Sequence, residues 1–485
     1  MCNARKFDRQ TVPIRTDIRN LFDTIQYATQ TSISIYRTKA MKHFIMTRRR
    51  HYIEAGFLAP ILFFLFGLCA PLLAQNYVIE NGNVWDGQQF VERSLYISDG
   101  EFVSQFPANV DSSIDASGMY ITPPFGDYHT HVFDSEFTIP VDSIFRSQGI
   151  FFSQDLGNDP INRKQYESYL EQPQTVDVAY ANGILTSNYG HPIQGYERMA
   201  LFGRSWPRTQ AQRDSLRESR LMENRLYYII DDESDIQPKI NALASTDPDL
   251  MKLVLWNSRE YISSDGESYP TDNKGLDPRF LPEIVDQANE FVLRPIAHIE
   301  TEYDLRVAIR EGIRSFAHVP YYGYGIDGNI SEDYPTLSDE SKQLIRETSE
   351  LVVNPTLLRT SQNLQYIPEN RRPTERQLDL LKEFHIRLLT DLKENGATIV
   401  AGADSPGIDA IDEVLYYKEL GVFTDAELLN MLIESARQIF PNRQIGGFDK
   451  GYEAHLLMFS DNPVEDLENI QTLKTAIKNG LIVSE

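Results

Sequence analysis

The sequence predicts an α/β protein: a (β/α)8 TIM-like barrel over residues 121–439, joined to a small β-sandwich domain built from 76–120 and 440–485. Three observations carry this expectation. Eight apolar segments, ending at YITPPFGDYHTH, GIFFSQDLG, VAYANGILTSNYG, DLMKLVLW, FVLRPIAHI, RSFAHVP, LVVNPTLL and TIVAGADS, alternate with stretches of helical periodicity. The segments flanking them read as short strands separated by turn pairs. At 485 residues the chain is too long for one ordinary core and suits a large barrel with an added domain.

Taken in order, the front of the chain stands apart. Residues 1–75 hold eleven Lys/Arg against four Asp/Glu, a local +7 within a net charge of −24, which leaves −31 on the other 410 residues. Arg48, Arg49 and Arg50 precede a stretch free of charge from Ala55 through Ile79, whose core AGFLAPILFFLFGLCAPLLA is about as long as a membrane span. With a small residue at Ala74, and with Pro60 and Pro71 interrupting a helix, segment 46–75 reads as a secretory signal. The alternative is an uncleaved membrane anchor through 55–74. Residues 1–45 are an extension outside the fold, with Met41 and Met46 as candidate true starts. The expected location is therefore outside the cytoplasm, periplasmic or extracellular, and contact with a membrane is expected only through this segment.

From Asn76, YVIENGNVWDG and SLYISDGEFVSQF alternate apolar and polar residues, and their NG and DG pairs signal hairpins in a small antiparallel sheet. The barrel units follow from Tyr120. Helical stretches such as TEYDLRVAIREG and DEVLYYKEL repeat apolar residues at three- and four-residue spacing. The longest insertion, from about Gln194 to Ile236, is rich in Arg, Glu and Tyr and is expected to form a helical lid. After the barrel, HLLMFSDNPVEDL and TLKTAIKNGLIV return to strand patterning and are expected to rejoin the N-terminal sheet.

Composition removes several function classes. The only cysteines, Cys2 and Cys69, cannot build a disulfide framework or a thiolate zinc cluster. A strongly acidic chain is not a nucleic-acid binder held by a basic surface. A small-molecule substrate, and a homo-oligomer, are the partners expected.

The chemistry is read at the strand ends, where barrel enzymes place their reactive groups. The first strand ends in His129-Thr130-His131, and residues i and i+2 of a strand face the same way. Lys252 lies inside the apolar run LMKLVLW, His298 and His318 end the fifth and sixth strands, and Asp404 ends the eighth. Each alone has a plain structural reading: an aspartate beside glycine caps helices, and a strand lysine can snorkel to water. The chain has only nine histidines, however, and four fall at predicted strand ends. That clustering points to a metal site.

These residues resemble the amidohydrolase superfamily of metal-dependent hydrolases, and the resemblance spans essentially all of 76–485. It rests on ITPPFGDYHTH, the lysine of DLMKLVLW, AHIETEYDLRVAIREGIRSFAH and VAGADS, and is nearest the imidazolonepropionase-related and zinc prolidase-like branch. It implies a two-metal centre, with His129, His131 and Asp404 on one ion and His298 and His318 on the other. Lys252 would bridge them as an N-carboxylated lysine formed with carbon dioxide. Zn2+ suits such ligands, with Mn2+, Fe2+ or Co2+ as alternatives. Asp404 is expected to move the proton as metal-activated hydroxide attacks a substrate carbonyl.

His191, in SNYGHP, is a candidate for the oxyanion or the substrate. Tyr228, Tyr321, Tyr322, Tyr324 and Arg359 are candidate pocket residues, Arg359 as partner of a substrate carboxylate. The chain departs from the family at PPFGD, where the glycine is displaced but Asp127 is kept, and at Ala454-His455-Leu456. The expected activity is hydrolysis of an amide C–N bond, as in a dipeptide or N-acyl amino acid. Lactone or ester hydrolysis at the same centre, and a non-catalytic barrel that only binds, are the alternatives.

Overall fold

The computed structural model describes residues 76–203, 205–263, 274–405 and 407–484. The N-terminal extension and the signal or anchor segment, and with them Cys2 and Cys69, lie outside the described residues. Among those described, no helix is long and apolar enough to cross a membrane.

The flanking segments meet in one sheet rather than in the two layers of a sandwich. Strands β1 (Tyr77–Trp85), β2 (Phe90–Ser98), β3 (Glu101–Val103), β4 (Ser112–Asp115) and β5 (Tyr120–Thr122) join β16 (Leu456–Phe459), β17 (Leu473–Lys478) and β18 (Leu481–Ser484). They form one sheet in the order β18-β17-β16-β5-β1-β2-β3, with β4 also on β1. The chain therefore returns to its start through the β16–β5 pairing. Tyr77, Ile79, Leu95, Ile97, Phe102, Leu456, Met458 and Ile477 form the buried cluster of this sheet.

Two local readings change. The sheet is mixed, because β4 and β5 run parallel to β1. Asn81-Gly82 is not a turn: the β1–β2 register shifts between Ile79 and Gly82, and Asn81 takes φ 60°, so the NG pair is a bulge within one strand. Asp86-Gly87 and Asp99-Gly100 do lie at the hairpin turns.

Among the described residues, the α/β part holds ten strands in two sheets. Strands β6 (Phe125–Thr130), β7 (Ile150–Asp155) and β8 (Asp177–Tyr180) form a parallel three-stranded sheet. The second sheet contains β9 (Ile184–Thr186), β10 (Tyr227–Ile229), β11 (Leu250–Val254), β12 (Arg294–His298), β13 (Ser315–Ala317), β14 (Val352–Asn354) and β15 (Thr398–Ile399). Its order is β10-β9-β11-β12-β13-β14-β15. The single strand expected at VAYANGILTSNYG is broken at Asn182 and Gly183, both at positive φ. Its first half pairs with β7 and its second with β11. The insertion is only partly helical: Ile193–Phe202 and Gln210–Glu218 are helices, but β10 follows and pairs with β9.

Where β6 approaches the end of β15, the Tyr128 N–H donates to the Ala401 carbonyl at 2.9 Å and the Asp404 N–H to that of His129 at 3.0 Å. Gly402 permits this approach, since a Cβ there would stand 2.5 Å from the His129 nitrogen. Gly126 has a similar task on the other side of β6. Its Cβ would meet the backbone nitrogen of Ala436, in the helix Asp425–Ile439, at 2.4 Å. The displaced glycine of PPFGD thus lets a helix backbone lie directly on the strand that carries the histidines.

Candidate metal centre

Backbone geometry brings the strand-end residues together. His129 lies in β6 and His131 just beyond its end; their Nε2 atoms are 3.3 Å apart and lie 3.4 and 3.2 Å from Asp404 Oδ1. The buried Asp127 carboxylate braces this strand, accepting the His129 N–H at 3.1 Å and the Ala410 N–H at 2.9 Å. In the β11–β12 ladder Lys252 stands opposite Ile296 and Val254 opposite His298, which puts Lys252 and His298 on one face. Ala317 stands opposite His298, so a regular strand would turn His318 away. Instead His318 takes φ 81°, a strained value for a residue with a Cβ, and re-aims toward the cluster. Asp404, at φ 49°, leaves its strand in the same manner.

One ligand atom each from His129, His318 and Asp404 lies within 4.8 Å of the others. His318 Nε2 is 3.5 Å from Asp404 Oδ2, and its Nδ1 is 2.6 Å from Thr356 Oγ1. The Thr356 hydroxyl also lies 2.8 Å from the Pro355 carbonyl and holds the His318 ring by its Nδ1 edge. The Nε2 edge of His318 is thereby turned toward the Asp404 carboxylate.

Burial sets the charges. It holds the imidazoles of His129, His191, His298 and His318 well below the usual histidine range, so they are neutral. Burial likewise takes the Lys252 amine down to about 7. It pushes the Asp404 carboxyl upward, but the Arg359 guanidinium beside it more than reverses this, and the group stays well below the carboxylate range. Among the candidate metal ligands, two buried atoms, His129 Nδ1 and Lys252 Nζ, have no hydrogen-bond partner. Neutral imidazole lone pairs, an ionised carboxylate and an unpartnered buried amine fit a divalent ion with oxygen and nitrogen ligands.

Other expected residues divide. His191 is brought in: its ring stacks on His298 at 4.8 Å and lies 5.2 Å from Trp256. Tyr322 is brought in too, its ring parallel to His318 at 3.9 Å. Arg359 reaches the site, where it pairs with Asp404. Tyr321 instead donates to Glu302 at 2.9 Å, and the Tyr324 hydroxyl to the Ser331 carbonyl at 3.1 Å. Tyr228 is fully buried, its ring packed against Gly183. Tyr321 and Tyr324 thus give their hydroxyls to neighbouring groups, and Tyr228 packs in the interior.

The sequence reading passed over Glu300, Thr356 and Trp256. Glu300 Oε1 lies 3.1 Å from His298 Nε2, and burial, with Asp304 nearby, pushes its carboxyl up to about 8. Its position two residues after His298 was a usable signal, the same spacing as His129 and His131. Trp256 stacks on His298 at 5.5 Å. Nothing in the sequence marked Thr356.

No family model and no curated protein matches the chain. Solved structures do match in fold. A crystal structure of an amidohydrolase superposes with TM-score 0.63 at 17% identity, over 84% of this chain and 99% of that one. Ochratoxinase from A. niger gives 0.62 at 18%, over 85% and 96%. A prolidase complexed with N-methylphosphonate-L-proline gives 0.60 at 18%, over 84% and 100%. The chain thus has the fold of amidohydrolase-type enzymes.

Proposed function

We propose that this chain is a metal-dependent amidohydrolase that cleaves an amide C–N bond, in a dipeptide or an N-acyl amino acid. The observation that carries the reading is the gathering of His129, His131, His298, His318 and Asp404, with a buried, unpartnered Lys252 on the same face as His298. The fold shared with an amidohydrolase, a prolidase and molinate hydrolase supports it. In this reading the two parallel sheets are arcs of one (β/α)8 barrel over 121–439, with 76–120 and 440–485 as the second domain. Their seams are the broken strand β8–β9 and the Tyr128–Ala401 hydrogen bond. Export through 46–75 belongs to the same proposal.

His129, His131 and Asp404 would hold one divalent ion and His298 and His318 a second, with Lys252 between them as a carbamate. A desolvated, neutral amine is the form that reacts with carbon dioxide. Bound there, such ions polarise a carbonyl and lower the pKa of water. Asp404, ionised at neutral pH, accepts the proton of the attacking water and returns it to the leaving nitrogen. His191, buried beside His298, is placed to hydrogen-bond the developing oxyanion. Arg359 touches Asp404 through one nitrogen, and its other N–H groups remain for a substrate carboxylate.

The test is metal analysis of protein purified with zinc and bicarbonate, followed by panels of amides and lactones. Two ion equivalents and amide turnover, lost on chelation and restored by zinc, are expected. Less than one equivalent sinks the dinuclear centre. Rapid lactone turnover without peptidase activity replaces the amide reading.

A further inference from the structure

Arg359 owes its place to contacts made away from the metal cluster. It lies in the short helix Leu357–Asn363, which the chain enters through buried Thr356 at φ 53°. Its side chain remains 32% exposed where it meets Asp404. The backbone beneath it is held by Glu413, a fully buried side chain. One Glu413 carboxyl oxygen accepts the Leu357 N–H at 2.6 Å and the other the Leu358 N–H at 3.1 Å, while the Tyr417 hydroxyl donates to the same group at 2.5 Å. Two further ties follow: the Thr360 hydroxyl donates to the Tyr322 carbonyl at 2.8 Å and the Ser361 hydroxyl to that of Tyr416 at 3.2 Å. Glu413, Tyr416 and Tyr417 share one face of the helix Ala410–Leu420, at i, i+3 and i+4. The start of that helix is fixed to β6. The Ala410 N–H donates to Asp127 Oδ2 at 2.9 Å, and Asp127 Oδ1 accepts the His129 N–H at 3.1 Å. One helical turn thus links, through two buried carboxyl groups, the strand of His129 and the backbone that carries Arg359.

We propose that Glu413 is a positioning residue for substrate selection. By holding Leu357 and Leu358 against a helix that is itself fixed to β6, it sets how far the Arg359 guanidinium stands from the reacting centre. What it controls is therefore the spacing between scissile amide and carboxylate in the substrate, and not the preference for charge alone. Arg359 reaches the Asp404 carboxylate directly, so the spacing selected is a short one, with the carboxylate on the carbon attached to the leaving nitrogen. This rests on the amidohydrolase reading. The hold of Glu413 on the Arg359 helix does not, and can be measured in metal-free protein.

The experiment compares amides that differ in where the carboxylate stands: N-acetylglycine, N-acetyl-β-alanine and N-acetyl-4-aminobutyrate. In the zinc-loaded full chain, kcat/KM is expected to fall about tenfold or more from the first to the third. Glu413→Leu and Arg359→Met should each narrow that span to about threefold or less, and the double variant no further, because Glu413 acts through Arg359. Glu413→Gln, which keeps one acceptor oxygen, should retain part of the span. Thr360→Val, a change of similar shape that removes only the tie to Tyr322, should narrow it in the same direction and carries the test if Glu413→Leu does not fold. Independently of turnover, hydrogen exchange in chelated Glu413→Leu should quicken in peptides over 355–363 and stay at the parent rate over 375–394. A parent that turns over the three amides alike, an unchanged span in an active variant, or unchanged exchange over 355–363 overturns the role of Glu413. A parent that turns over no amide overturns the hydrolase reading and the selectivity together, and exchange alone then supports or overturns the hold of Glu413 on the helix.

Discussion

Replacing Lys252 by methionine should make the metal-free protein more stable and the enzyme inactive. The amine is buried, has no hydrogen-bond partner, and is brought by desolvation from 10.5 to about 7. The folded-state value lies below the unfolded one, so between pH 7 and 10.5 the unfolded chain binds the extra proton and stability rises with pH. At about 1.4 kcal/mol per tenfold, this penalty is about 4 kcal/mol at pH 7 and about 2 kcal/mol at pH 9. Methionine, of similar length, removes it without leaving a large cavity. Urea unfolding of chelated protein in carbon dioxide-free buffer reads the difference. Lys252→Met should exceed the parent by about 4 kcal/mol at pH 7 and by roughly half that at pH 9, while losing amide turnover in zinc and bicarbonate. Equal urea midpoints at pH 7 would show the amine to be solvated or paired. Retained turnover would show that the lysine has no part in the chemistry.

Further outcomes follow from the same contacts. Burial pushes the Glu413 carboxyl up to about 7, above its unfolded value, so the stability it contributes is present below about pH 4.5 and is lost as pH rises through 7. Glu413→Gln should flatten that loss of about 3 kcal/mol, read by urea midpoints at pH 5 and pH 8. Gly126→Ala would press a methyl against the Ala436 backbone and should cost about 1–3 kcal/mol in thermal or urea unfolding. Gly195→Ala, in a helix with open space around the site, should instead gain up to about 1 kcal/mol. Arg359→Met should raise KM for substrates bearing a carboxylate about tenfold or more, with a smaller change for uncharged amides; equal changes for both would remove Arg359 from carboxylate binding.

The sequence by itself determined which residues could act. Apolar strands ending in His129, His131, His298, His318 and Asp404, and a lysine inside LMKLVLW, are local patterns that periodicity and composition expose. The return of the C-terminal strands to the N-terminal sheet was also legible, because strand patterning resumes after the last helix. Tertiary structure decided the rest. Asn81-Gly82 became a bulge because β1 runs on past it against β2. The third strand divided because Asn182 and Gly183 adopt positive φ, and its halves found different neighbours. Tyr228 went into packing and Tyr322 into the site, although both are tyrosines near strand ends. Which edge His318 turns toward Asp404 depends on the Thr356 hydroxyl, 38 residues away in the chain. A side chain's type is written in the sequence, but its direction and protonation depend on backbone angles and distant partners, which only the folded chain brings together.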